Sequence, residues 1–224
     1  MTTGFSAEAL ALLGALSTYD KHRFAAEKQA YTRLIAEPTK AWVSALLPRL
    51  QAEISPDITG APKTNGSIAP INNDLRFSPE KSPYKNHLLL RFWQGSPKHL
   101  APTLWVRLGA DEIGFATGVG LDPAGLKRFR ARIAGPEGEA FEALVAALSA
   151  KHPVDIAGEG LKRVPKPWSE DHPRGRWLKF NRGVQLRWPE PLLVGVDGID
   201  QAALVDLCMA RLGDCAAVHR WLTA

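Results

Sequence analysis

Three stretches of this 224-residue chain carry side chains suited to recognising negative charge. In the first, Asn72 to His87, the residues Arg76, Lys81, Tyr84, Lys85 and His87 offer donors for a phosphate or carboxylate, and arginine can make a two-pronged contact. Asp74 is placed to orient Arg76 as an ion pair, while Pro79 and Pro83 stiffen the turn. In the second, Leu161 to Pro173, the basic Lys162, Arg163 and Lys166 accompany Trp168, a mixture that suits an anion bearing a ring. Its Asp171 and His172 are the candidates for acid and base work, with the carboxylate orienting the imidazole. The third is the hairpin pattern from Thr103 to Val119. Alternation there assigns Leu104, Val106, Phe115 and Thr117 to a core face and sets Trp105 and Arg107 over Gly114, Ala116 and Gly118 on the other. That floor suits a planar or anionic ligand, or else the close packing of a neighbouring helix. The two loops likewise have a plainer reading as solvated surface.

Other chemistry leaves no trace. The chain has no nucleophile elbow, P-loop, zinc-protease helix or paired C-x-x-C, and no cofactor motif or metal-ligand spacing. Gly118-Val119-Gly120 lacks the third glycine and the strand-to-helix setting of a dinucleotide site. Cys208 and Cys215 fall about 10 Å apart along one helical pattern, too far for a disulfide, and on its apolar stripe. They read as core thiols. The net charge of +5 is concentrated between Gly160 and Arg187, where eight basic side chains face only Glu170 and Asp171. An acidic partner meets that segment first.

The elements that must position these residues follow from periodicity. With 45% hydrophobic residues the chain can bury one sizeable core, so a single domain is expected. Helical spacing appears at Ala7 to Leu16 behind Ser6, at Lys21 to Glu37 behind Asp20, and in a third helix opened by Pro38 that Pro48 should kink or end. The period then falls to two at Ser67 to Ile71, His87 to Trp93, Thr103 to Leu108 and Glu112 to Val119. Short connections require antiparallel pairing of the last two. Helices return at Pro123 to Ile133 and Pro136 to Ser149, and Lys151 to Gly183 reads as irregular. A further strand, Gly183 to Trp188, precedes a final helix capped by Asp200. The expected fold is α+β, an antiparallel sheet packed with N-terminal, middle and C-terminal helices. No apolar run reaches the roughly 20 residues of a membrane span, and the N-terminus has no secretory pattern, so the expected location is the cytoplasm.

The order and wording of these patches resemble the domain of unknown function family 2461, a group of uncharacterised, mainly bacterial proteins. The resemblance rests on Phe24 and Tyr31 after Asp20, on Asn73-Asp74-Leu75-Arg76-Phe77-Ser78-Pro79-Glu80-Lys81-Ser82-Pro83-Tyr84-Lys85, and on Leu161-Lys162-Arg163-Val164-Pro165-Lys166 with Asp171-His172-Pro173. Arg23 stands where the family usually has tryptophan, and Asn73 where arginine is common. The resemblance implies a shared fold and supports the choice of patches, and it carries no assigned activity.

The preferred expectation is a small anionic ligand, phosphorylated ones included, held where the Arg76 to His87 loop meets the Lys162 to His172 segment. Two alternatives stand beside it. One is nucleic-acid binding by segment 160 to 187, and the other is a non-catalytic interaction module.

Overall fold

The computed structural model describes residues 4–76, 82–158 and 160–224. A short strand β1 (Gly4–Ser6) leads into α1 (Ala7–Ala15), which Ser6 caps by accepting the Ala9 N–H at 3.1 Å. Asp20 caps α2 (Lys21–Tyr31) through the Arg23 N–H at 2.7 Å.

Pro38 stands in the first turn of a third helix, as expected, but no break separates that helix from α2. Thr32–Ala36 form a π-helical turn and the chain continues as α3 (Glu37–Glu53), with the Glu37 N–H reaching back to the Thr32 carbonyl. The wider turn shifts the hydrogen-bond register just ahead of Pro38, which has no N–H to give. Pro48 neither ends nor replaces α3; it lies inside it. Trp42, Val43, Leu46 and Leu50, at 1% exposure or less, anchor the helix on both sides of that proline.

The remaining elements are β2 (Ile58–Thr59), β3 (Leu88–Gln94), β4 (Thr103–Leu108), β5 (Glu112–Gly120), α4 (Pro123–Ala134), α5 (Pro136–Lys151), β6 (Asp155–Ala157), α6 (Gly175–Leu178), β7 (Gly183–Pro191), β8 (Gly198–Asp200), α7 (Gln201–Asp214) and α8 (Ala216–Thr223). A six-stranded antiparallel sheet runs in the order β2-β3-β4-β5-β7-β6, and β1 pairs with β8 in a small second sheet. The fold is therefore α+β. Ser67 to Ile71 is no strand: Ile68 makes an isolated bridge to Leu90, flanked by bonds from Ala69 N–H to Leu89 O and from Arg91 N–H to Ser67 O. The stretch read as irregular hides β6 and α6. Cys215 interrupts the last helical pattern between α7 and α8. Both cysteines are fully buried, which pushes their thiols up, that of Cys215 to about 12.

Contacts divide the chain into two compact units, each assembled from three separate stretches. Unit one comprises Met1–Phe92, Trp105–Phe115 and Pro189–Arg211. Its core gathers Leu13, Leu16, Ile35, Leu90, Val106, Ile113 and Leu204, with Phe5 set edge-on to Trp42 at 5.9 Å. Unit two comprises Trp93–Leu104, Ala116–Trp188 and Leu212–Ala224. Here Phe141 lies 4.4 Å from Trp221 and 4.9 Å from Trp177 between ring centroids. Arg174 closes the C-terminus of α4, its Nε donating to Ile133 O at 2.5 Å and its Nη2 to Ala134 O at 3.0 Å. Such an arginine satisfies carbonyls that the helix itself leaves unpaired. Among the described residues no helix is long and apolar enough to cross a membrane.

Unit two also buries His219 completely, with its Nδ1 3.4 Å from Thr117 Oγ1. Burial, with some help from Arg220, lowers its pKa to about 4. An unfolded imidazole titrates near 6.5, so between these values the unfolded chain binds the proton and the fold does not. This group should leave stability flat above about pH 6.5 and weaken the fold as pH falls to 4, by up to about 3 kcal/mol. Urea unfolding across that range should show the loss, and His219→Gln should flatten the slope whatever its effect on absolute stability.

Candidate anion site

The loop that carries the first basic cluster springs from a closed stem in unit one. Asn72 and Tyr84 form an antiparallel bridge, the Asn73 N–H donates to Pro83 O at 2.8 Å, and the Lys85 N–H donates to Ile71 O at 2.9 Å. Asn73 tightens the stem with its side chain, Nδ2 reaching Ser82 O at 2.7 Å. Lys85 Nζ clamps the other side by donating to Pro70 O and Asn72 O, each at 2.6 Å. Burial lowers the pKa of this lysine.

Tyr84 is a packing residue. It is 6% exposed and stacks on Phe24 at 4.2 Å and 20°, while Phe24 lies 5.2 Å from Tyr31. Two segments far apart in sequence, 20–31 and 73–85, meet through these rings. Burial raises the Tyr31 phenol. At the exposed shoulder of the loop Arg76 forks onto Asp74, Nε to Oδ1 at 3.0 Å and Nη2 to Oδ2 at 2.6 Å, which holds the Asp74 carboxyl below its usual range. Lys81, named from sequence as a ligand contact, lies outside the described residues.

His87 follows the stem directly. Burial, then the positive charges of Arg107 and Lys85, push its pKa down to about 4, so the imidazole is neutral at pH 7, with Nδ1 3.2 Å from Asn86 Oδ1. Asn86 and Arg107 line a cleft of about 140 Å³ together with Gly14, Gly109 and Glu112. Arg107 leaves β4 on the face opposite buried Val106 and Leu108, as does Trp105, and its Nη1 is 2.7 Å from Glu112 Oε1. Lys85, His87 and Arg107 thus share one locality, although Arg107 comes from β4 and the other two from the chain ahead of β3.

The second basic segment belongs to unit two. Lys162, Arg163 and Lys166 are exposed and Trp168 is half-buried. The turn is held from within: Glu170 Oε1 accepts the Val164 N–H at 3.0 Å and Oε2 stands 3.7 Å from Lys179. His172 Nδ1 accepts the Arg174 N–H at 3.0 Å, and Asp171 donates its own N–H to Ser169 Oγ. Among the described residues no hydrogen bond joins Asp171 to His172. A different pair makes such a contact, His152 Nε2 to Asp214 Oδ2 at 2.9 Å, with Lys151 on Oδ1 at 2.6 Å and Trp188 stacked on the imidazole at 4.9 Å. Burial works to raise the Asp214 carboxyl, and its two basic partners outweigh that and hold it low. Sixty-two positions separate this pair, and no local motif announces it.

On the outer face of the β4–β5 pattern, close packing accounts for Gly118. A Cβ there would stand 2.3 Å from Val184 O of β7, so a strand occupies the place where a helix was the expected neighbour. Among the described residues no group of three or more His, Cys, Asp or Glu side chains is placed to hold a metal ion.

The mixed fold, the closed basic loop and its aromatic footing define a class of α+β proteins built on one antiparallel sheet. The chain matches the family model described as conserved hypothetical protein (DUF2461) over residues 8–189, and it belongs to that family. No curated protein matches it in a sequence comparison.

Because the Tyr84 ring is almost wholly buried against Phe24, Tyr84→Ala should cost about 3 kcal/mol, whereas Tyr84→Phe should leave stability within about 0.5 kcal/mol. Thermal or urea unfolding of the two variants separates a packing role from any role of the hydroxyl.

Proposed function

We propose that this protein binds a small anionic ligand, such as a phosphate-bearing metabolite, in the cytoplasm, beside His87 in unit one. The observation that carries the reading is that Lys85 and Arg107 both act electrostatically on one imidazole, which burial first and these two cations second keep neutral. The part of that effect owed to the two cations is a positive potential, and it favours a negative charge. The stem keeps Lys85 in place without any ligand, and Arg107 holds a guanidinium fork at the cleft, where it already pairs with a carboxylate from Glu112. An incoming oxyanion would compete for that fork and offset the two cations.

A second reading, nucleic-acid binding by segment 160 to 187, draws support from the exposed Lys162, Arg163 and Lys166 near Trp168. It is the weaker one because Arg174 spends its guanidinium on helix carbonyls and Lys179 lies beside Glu170. The role of His172 as a proton carrier would have to be filled through Nε2, since Nδ1 is taken by the backbone.

Binding should couple to protonation of His87. In NMR titrations its pKa should rise from about 4 toward the ordinary histidine value as inorganic phosphate is added, and affinity should increase as pH falls from 7 to 5. Arg107→Ala should raise the His87 pKa in the absence of phosphate and weaken phosphate binding. A His87 titration curve indifferent to phosphate would refute the site.

A further inference from the structure

Unit two holds a cavity of about 330 Å³ that none of the residues discussed for the anion site enters. Its size lies at the small end of the range for small-molecule pockets. Its apolar lining includes Pro97, Leu100, Val119, Phe129 and Trp221. From α4 the lining also takes Arg128 and Arg132, four residues apart and so on one helical face.

The two arginines are in different states. Arg132 is engaged through two of its nitrogens and its ring contact: its Nε donates to Glu137 Oε2 at 2.7 Å, its Nη2 donates to Trp221 O at 2.9 Å, and its guanidinium lies 4.0 Å over the Trp221 ring. These contacts fix the aromatic wall, as does the Trp221 Nε1–H donated to Glu137 O at 3.1 Å. Arg128 has no hydrogen-bond or ion-pair partner among the described residues and stands at the cavity with its fork unspent. Asp122 also lines the cavity, and its Oδ1 is occupied by the Gly125 N–H at 2.6 Å.

From this arrangement we infer that the cavity is a second binding site, for a small organic monocarboxylate with an aromatic or aliphatic body. A carboxylate matches the two-pronged geometry of one guanidinium, and its body covers the apolar wall. A phosphate dianion is a poorer match. It calls for more donors than one unpaired arginine supplies, and its second negative charge doubles the repulsion from the Asp122 carboxylate that also lines the cavity. The rigid wall favours binding, since little side-chain freedom remains to be lost.

The probes are benzoate and hexanoate, with inorganic phosphate as the contrasting anion, read by calorimetry and by the NMR shift of the Trp221 indole N–H. Benzoate or hexanoate should bind and move that resonance, and Arg128→Ala should weaken binding roughly tenfold or more. The variant should keep its melting temperature, because Arg128 holds nothing in place. Arg107→Ala should leave carboxylate binding intact, so failure at the His87 site and failure here are distinguishable. Absence of carboxylate binding to the unmodified protein, equal affinity in Arg128→Ala, or tighter binding of phosphate than of benzoate would each overturn the assignment.

Discussion

Val106 and Leu108 are both wholly buried, and successive side chains of a strand leave on opposite faces, so Arg107 between them has to project away from that core. Leu88 and Leu90 impose the same condition on β3, and His87, just ahead of the strand and half-buried, stays off the face they fill. The pleat thus sets a guanidinium and an imidazole in one neighbourhood without any direct bond between them. A slip of one residue in either strand would put charged groups in the core, at a cost that burial of several aliphatic side chains guards against. Everything electrostatic about the cleft in unit one depends on that alternation.

The stem of the loop adds a second constraint of a different kind. Polar atoms at its base are used to bind main-chain carbonyls: Lys85 takes Pro70 O and Asn72 O, and Asn73 takes Ser82 O. Asn73 closes the base of the loop with a short amide reach. The charge of Lys85 still acts on His87 although its protons are engaged, because a Coulombic field survives hydrogen bonding. The same economy appears in unit two, where Arg130 donates to Leu178 O and Phe180 O, and Arg174 to the end of α4. Basic composition in a sequence is therefore not the same quantity as basic surface in a fold.

How much of this could be read in the sequence follows from the range over which each cause acts. The caps at Ser6, Asp20 and Asp122, the strands β4 and β5, and the prolines opening α4 and α5 are local, and they fall where spacing places them. Pro38 stands in the first turn of α3 as its spacing suggests, whereas Pro48 does not end that helix, because tertiary burial of Trp42, Leu46 and Leu50 outweighs a local breaker. Tyr84 looked like a ligand contact because its partner, Phe24, lies sixty positions away in sequence. The His152–Asp214 pair and the cavity beside Arg128 left no sequence signal, since both arise only when α4, α5 and the residues around α8 are brought together. Arg107 and His87 were legible as individuals, and their shared locality was not.

The π-helical turn between α2 and α3 sets the phase between two buried faces. An α-helix advances about 100° per residue, so the extra residue lodged in Thr32–Ala36 rotates the Phe24 and Tyr31 edge relative to the Trp42 and Leu46 edge by about that angle. One helical rod can then address the basic loop with its first half and the sheet core with its second, although no straight helix of the same sequence would point both ways. Shortening the chain by a single residue there would restore regular winding and swing the aromatic footing out from under the loop, with every side chain of the loop itself unchanged.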